Sequence, residues 1–174
     1  MTIVTKARCG HAITRTEGDK QNGTYKEYYD NGQLALSANY RSDKLHGLCE
    51  QWYPNGQRYS KAYYINGKPD GLDESWHSNG QLAGRFPFKD GTPEGLLETW
   101  YPNGQRDTLV MYKDGKKDGL YESWHSNGQL SRKYYYKNGK LDGLYESWDY
   151  SGEIMERSLY KDGELVLIKE HAHL

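Results

Sequence analysis

Residues 119–142 read GLYESWHSNGQLSRKYYYKNGKLD, and a shift of 24 residues in either direction brings the same pattern back. Its opening glycine recurs at Gly23, Gly47, Gly71, Gly95, Gly119 and Gly143. Five residues on come Tyr28, Trp52, Trp76, Trp100, Trp124 and Trp148, and seventeen on come Tyr40, Tyr64, Phe88, Tyr112, Tyr136 and Tyr160. An Asn-Gly pair sits eight and nine residues after the opening glycine, decaying to Ser151-Gly152 in the last copy. A fixed period of this length is the mark of a repeat array. Repeats also alternate in type. Trp-Tyr-Pro-Asn-Gly-Gln-Arg occurs at 52–58 and 100–106, and Glu-Ser-Trp-His-Ser-Asn-Gly-Gln-Leu at 74–82 and 122–130.

The composition suits a thin sheet rather than a thick core. Aliphatic residues are few, while 17 Tyr and 5 Trp supply the apolar area. Aromatic rings bury large surfaces, and tyrosine keeps a polar tip in water. A balance of 23 basic against 24 acidic residues gives no nucleic-acid footprint. No apolar stretch is long enough to span a membrane, and MTIVTKARCGHAITR has no signal-peptide core. Cys9 and Cys49 are too few for a disulfide scaffold. A cytoplasmic location is the expectation.

Each repeat carries two turn signals. After the Asn-Gly comes a second pair, Asn66-Gly67, Asp90-Gly91, Asp114-Gly115, Asn138-Gly139 or Asp162-Gly163, with Ser42-Asp43 in the first copy. Both signals read as two-residue type I′ hairpins, which need positive φ at both central residues. That turn fixes the register and opposes Glu50 to Lys61, Glu74 to Arg85, Glu122 to Lys133 and Glu146 to Arg157. Glu98 is the exception, facing Leu109. One sheet face then carries the leucines, the ion pairs and the tryptophans; the other carries the aromatics of position 17 with Tyr25, Phe86, Tyr121, Tyr134 and Tyr145. Successive strands of 11 and 9 residues differ by two, and a bulge at the opening glycine is expected to absorb the excess.

The fold expected is all-β: an elongated single-layer antiparallel β-meander built from six 24-residue hairpin repeats. Residues 1–22 read as an N-terminal capping segment with a strand near Ala12–Thr16, residues 23–166 as the array, and residues 167–174 as a C-terminal cap. Leu165 to Lys169 reads as a closing strand whose charged end blunts the edge.

The pattern Gly-x-x-x-x-Trp-x-x-Asn-Gly-Gln…Tyr-x-x-Gly-Lys-x-x-Gly resembles the MORN-repeat variant family over six consecutive copies. The resemblance implies an elongated antiparallel β-array. It also implies kinship with YwqK-like bacterial members regarded as antitoxin or immunity partners of toxins, and with repeats carried by large DNA viruses. Other MORN arrays are tied to membrane junctions and phosphoinositides, but this chain lacks the basic clusters for lipid.

No catalytic motif is present, and no cofactor or metal is expected. His77 and His125 lie two repeats apart, too far to share a metal, and read as surface repeat residues; His171 and His173 form a lone H-x-H. A single-layer sheet cannot bury both faces, and exposed apolar patches mark partner sites. The chain therefore reads as a non-enzymatic protein-binding module, its partner a toxin or an assembly component. An architectural role with self-association, in a viral particle or as a membrane-associated module, is the alternative. The candidate binding surface is Trp52, Tyr53, Trp76, Trp100, Tyr101, Trp124, Trp148, Tyr112 and Tyr136.

Overall fold

A computed structural model describes residues 13–171. Among these residues the fold is an open antiparallel β-meander of seventeen strands without a helix. Backbone contacts divide it into two units, residues 13–82 with 88–91 and residues 83–87 with 92–171.

The first unit runs β1 (Ile13–Glu17), β2 (Asn22–Tyr29), β3 (Leu34–Arg41), β4 (Lys44–Trp52), β5 (Arg58–Ile65), β6 (Lys68–Pro69) and β7 (Gly71–Trp76). From β1 to β5 each strand pairs antiparallel with the next, and β5 pairs with both β6 and β7. The second unit takes the middle of β8 (Leu82–Lys89). It continues through β9 (Thr92–Pro93), β10 (Gly95–Trp100), β11 (Arg106–Lys113), β12 (Lys116–Trp124), β13 (Leu130–Lys137), β14 (Lys140–Leu141), β15 (Gly143–Trp148), β16 (Ile154–Lys161) and β17 (Glu164–His171). The strand expected near residue 12 is β1 from Ile13 onward, and the expected closing strand is β17. Cys9 and His173 lie outside the described residues.

The second turn of each repeat has the expected conformation. Asn66, Asp90, Asp114, Asn138 and Asp162 have φ between 49° and 51°, each followed by a glycine of positive φ. Even Ser42-Asp43 adopts it, at 48° and 60°. The first turn is a different structure. Only its glycine has positive φ. Gly56 N donates to Tyr53 O at 2.9 Å and Tyr53 N to Gln57 O at 2.8 Å. This is a three-residue loop, a type I turn followed by a left-handed glycine. Pro54 and Pro102 fit the second residue of a type I turn, where φ near −65° is required, and that is the sequence signal for this geometry.

The register expected for the strands holds nonetheless, because a second irregularity compensates. Glu50 faces Lys61, Glu122 faces Lys133 and Glu146 faces Arg157. The longer loop moves the register by one residue, and a bulge at each tryptophan moves it back: Ser123 faces Arg132, yet Trp124 faces Leu130.

At the opening glycines the expected bulge is present. Between β11 and β12, Val110 faces Tyr121 but Tyr112 faces Lys117, so Met111 stands against three residues and two are absorbed. Gly119 at φ 107° is the pivot. A Cβ there would lie 3.3 Å from Met111 Cβ, so the glycine is required by backbone angle and by close approach alike.

Ile13, Tyr29 and Ala35 form one buried cluster at the start of the first unit. Along the tyrosine side the buried residues are mostly small, Ala38, Cys49 and Ala62 beside Leu36 in the first unit and Val110, Ser123 and Ser158 in the second. Tyr25, Tyr40, Leu45 and Tyr64 pack against Leu36, Ala38 and Cys49. In the second unit Tyr121, Tyr134 and Tyr145 stack in succession, with centroids 4.3 and 5.2 Å apart. Burial between Tyr121 and Tyr136 holds the Tyr134 phenol well above its ordinary pKa.

Candidate functional site

Equivalent side chains in successive repeats do the same job, so the candidate surface can be built one position at a time. In four repeats the residue after the fifth-position aromatic is a strut. The hydroxyls of Tyr29 and Tyr53 donate to the carbonyls of Trp52 and Trp76 at 2.7 and 2.9 Å in the first unit. Tyr101 donates to Trp124 O at 2.8 Å in the second. His125 takes this place with Nε2 2.9 Å from Trp148 O. A carbonyl only accepts, so Nε2 carries the proton in this contact. His125 is thereby explained as a tyrosine substitute, its ring 4.0 Å from that of Tyr150. Among the described residues there is no group of three or more His, Cys, Asp or Glu poised for a metal.

The loops are tied in the same manner. Asn31 and Asn55 donate through Nδ2 to Pro54 O and Ser78 O at 2.8 and 3.1 Å, while their Oδ1 atoms accept from Gln33 N and Gln57 N. Asn103 and Asn127 repeat the pattern on Ser126 O and Tyr150 O. At the opposite ends of the strands, the residue before the opening glycine receives the next type I′ turn. Asp70 accepts from Asp90 N at 2.9 Å, Glu94 from Asp114 N at 2.7 Å and Asp118 from Asn138 N at 2.8 Å. The hydrogen bond from Asp90 N, then that from Lys89, pulls the Asp70 carboxyl below its usual value.

On the tryptophan face Trp76, Trp100 and Trp124 each meet an arginine of the preceding repeat. Arg58 lies 5.5 Å from the Trp76 ring, Arg85 5.9 Å from Trp100 and Arg106 5.3 Å from Trp124. Arg58 also pairs with Glu50 at 3.0 Å and Arg106 with Glu98 at 3.4 Å. Glu98 is therefore not the exception that its register partner Leu109 suggests; a neighbour on the same face, beside the tryptophan bulge, supplies the charge. Glu122–Lys133 at 3.0 Å and Glu146–Arg157 at 2.9 Å are direct cross-strand pairs.

All nine candidate surface residues are half-buried, and they do not form one patch. Trp52, Trp76, Trp100, Trp124 and Trp148 belong to the tryptophan face. Tyr112 and Tyr136 belong to the other, where Tyr136 packs edge-on to Tyr134 with centroids 5.5 Å apart. Tyr53 and Tyr101 are loop-edge struts. More exposed than any of them is a row that sequence reasoning passed over. It comprises Tyr63 and Leu72 in the first unit, at 47% and 43%, and Leu96, Met111 and Tyr135 in the second, at 37%, 37% and 43%. These occupy the position after the opening glycine and the position facing it, as in Leu96 opposite Met111. The signal was the recurrent leucine itself, an apolar residue on a face otherwise lined by ion pairs.

A search of curated proteins finds none that matches the chain. The family model described as MORN repeat variant matches residues 21–42, 45–66, 93–114, 117–138 and 141–162. The copy at 69–90 is not among the matched stretches, yet it is built alike: Gly80 N donates to His77 O at 2.8 Å, Asp70 N to Tyr63 O at 2.8 Å, and Asp90 has φ 49°. Matched over more than half of its length, with both turns, the glycine bulge and the strut recurring in the structure, the chain belongs to the MORN repeat variant family.

Proposed function

We propose that the chain is a non-enzymatic protein-binding module. The observation that carries this reading is the exposed apolar row Leu96, Met111 and Tyr135 beside half-buried, arginine-capped tryptophans. Aromatic side chains on a rigid sheet are the usual anchors of protein interfaces. The polar side chains around them are already engaged, His125, Asn127 and Asp118 in holding repeats together and Glu98 in an ion pair within its own repeat. An immunity-type partner of a toxin is the finer form of this reading, and the family resemblance is its support. Affinity capture with mass spectrometry from the native host, followed by reconstitution with the purified partner, tests it. Met111→Ser with Tyr135→Ser should weaken that complex by about 2 kcal/mol or more while the fold persists. A folded double variant of unchanged affinity refutes this surface.

The architectural reading has an observation of its own. Leu165, Val166 and Leu167 of β17 are 49%, 59% and 50% exposed, and among the described residues β17 pairs with β16 alone. An exposed apolar edge strand is a template for a second chain. Concentration-dependent sedimentation abolished by Val166→Lys would favour assembly over capture of a foreign partner.

A further inference from the structure

Asp73 is out of character for its place. The second residue after each opening glycine lies on the tyrosine face, and elsewhere it is Tyr25, Cys49, Leu97, Tyr121 or Tyr145. In β7 it is a carboxylate. The pairs Ser60↔Ser75 and Lys61↔Glu74 set Asp73 beside Ala62, which faces Cys49, which faces Ala38. Those three small side chains are 6%, 8% and 1% exposed and form the floor of a trough. Tyr40 and Tyr64 pack along one side of it.

Two facts bear on what this trough can receive. Asp73 is partly buried and makes no hydrogen bond or ion pair with a described residue. Burial alone pushes its carboxyl above the usual 3.8; the neighbouring Tyr64 phenol is raised chiefly by its own burial, then by Cys49, with the Asp73 charge adding to it. An unpartnered, desolvated carboxylate opposes folding, and Leu97 fills the equivalent place in the second unit, so the sheet does not require it. Second, this row elsewhere seats an ammonium group from the chain itself. Lys20 Nζ lies 4.4 Å from the Tyr25 ring centroid, and Lys117 Nζ lies 5.4 Å from Tyr121 and 5.0 Å from Tyr136. Lys117 stands two residues before its opening glycine; in the repeat of Asp73 that position is Pro69. The repeat of Asp73 thus has no lysine of its own at this place, as is also true of the repeats with Gln21, Leu45, Pro93 and Leu141 there.

Building on the reading of the chain as a protein-binding module, we propose that the trough at Asp73, floored by Ala62 and Cys49 and flanked by Tyr64, receives a lysine ammonium of the partner protein. The carboxylate supplies the counter-charge and the tyrosine ring the cation–π face. Complementarity of charge selects a basic side chain over a neutral one.

The test uses the full chain with isotope-labelled aspartate and the peptide acetyl-Gly-Lys-Gly-amide as probe. The Asp73 carboxyl resonance should shift saturably, and its titration should move to lower pH, because a bound cation favours the ionised form. The glutamine peptide acetyl-Gly-Gln-Gly-amide should do neither. Asp73→Asn should abolish the saturable response at Tyr64. Asp73→Leu should melt no lower than the parent chain, as a residue kept for binding rather than for the fold would allow. A response equal for both peptides, a response surviving Asp73→Asn, no saturable response, or a large loss of stability in Asp73→Leu overturns the inference. With a captured partner, Asp73→Asn should weaken binding roughly tenfold or more. An unchanged partner affinity defeats the lysine site but leaves the protein-binding reading standing; failure to find a partner defeats the latter, while the peptide titration still decides the former.

Discussion

The Tyr101 hydroxyl donates to the backbone carbonyl of Trp124 at 2.8 Å, across 23 residues of sequence. The most conspicuous tyrosine of the Trp-Tyr-Pro-Asn-Gly motif is thus a brace between successive repeats. Repeat arrays draw their stability from such nearest-neighbour contacts. Tyr101→Phe keeps the ring and deletes the brace. It should destabilise the chain by about 0.5–1.5 kcal/mol, the net worth of one hydrogen bond, read as a lower urea midpoint at unchanged slope. An unaltered midpoint would show that the bond is not formed in solution.

The two kinds of glycine should respond differently to alanine. Gly128, in the Asn-Gly loop, has φ 87°, and an added Cβ would meet only the flexible Oε1 end of Gln105, at 2.7 Å. Gly119, at the bulge, has φ 107° and would meet Met111 Cβ, anchored on its strand, at 3.3 Å. Strain of about 1–3 kcal/mol is the usual range for such backbone positions. Gly119→Ala should fall at the upper end and Gly128→Ala at the lower, compared by thermal melts of the two variants. The reverse order would mean that the loop, not the bulge, is the rigid feature.

Much of this architecture was legible because each repeat states it again. The type I′ turns, the bulge at Gly119 and the strand register followed from spacing alone. The Asn127-Gly128 loop was misread because Asn-Gly also satisfies a type I turn with a left-handed glycine. The clue was Pro54 and Pro102, one residue earlier. The strand register survived that misreading because the tryptophan bulge restores what the longer loop removes. Partners across faces were less legible. Register arithmetic sees only directly opposed residues, so it missed Glu98 reaching Arg106, and it had no means of finding Tyr101 and His125 bonded to carbonyls a repeat away. Asp73 was visible as a departure from its row, but its lack of a partner is a property of the fold.

The Glu98–Arg106 pair offers a measurement of coupling on the tryptophan face. Arg106 touches Glu98 at 3.4 Å and lies 5.3 Å from the Trp124 ring, with its side chain 45% exposed. Solvent screens an ion pair of that exposure, so a double-mutant cycle on Glu98→Gln and Arg106→Gln should return a coupling of only about 0.2–1 kcal/mol, smaller still at high salt. Arg106→Gln should also alter Trp124 fluorescence, whereas Glu98→Gln should do so weakly. A coupling well above that range would mark a desolvated network.

Asp70 and Asp73, three residues apart, should give opposite pH dependences. Asp70 accepts from Asp90 N at 2.9 Å and from Lys89 Nζ at 3.3 Å, and these contacts hold its folded pKa below the usual 3.8. Its ionised form is favoured by folding, so its contribution is present above 3.8 and is lost as pH falls through the lower folded value. Asp70→Asn keeps an acceptor, as Asn22 accepts from Ser42 N at 3.1 Å, but has no charge to contribute. That variant should melt below the parent chain at pH 7, and the gap should close in acid. Asp73 has its folded pKa raised by burial. Folding then favours its protonated form, and the parent chain loses stability as pH rises from 3.8 through the raised value. Asp73→Asn should accordingly melt above the parent at pH 7 and level with it in acid. Thermal melts of the three proteins from pH 2 to pH 7 decide the matter. Parallel curves for both variants would mean that neither carboxylate is perturbed by the fold, and an Asp73→Asn curve lying below the parent at neutral pH would show that Asp73 has a partner within the chain.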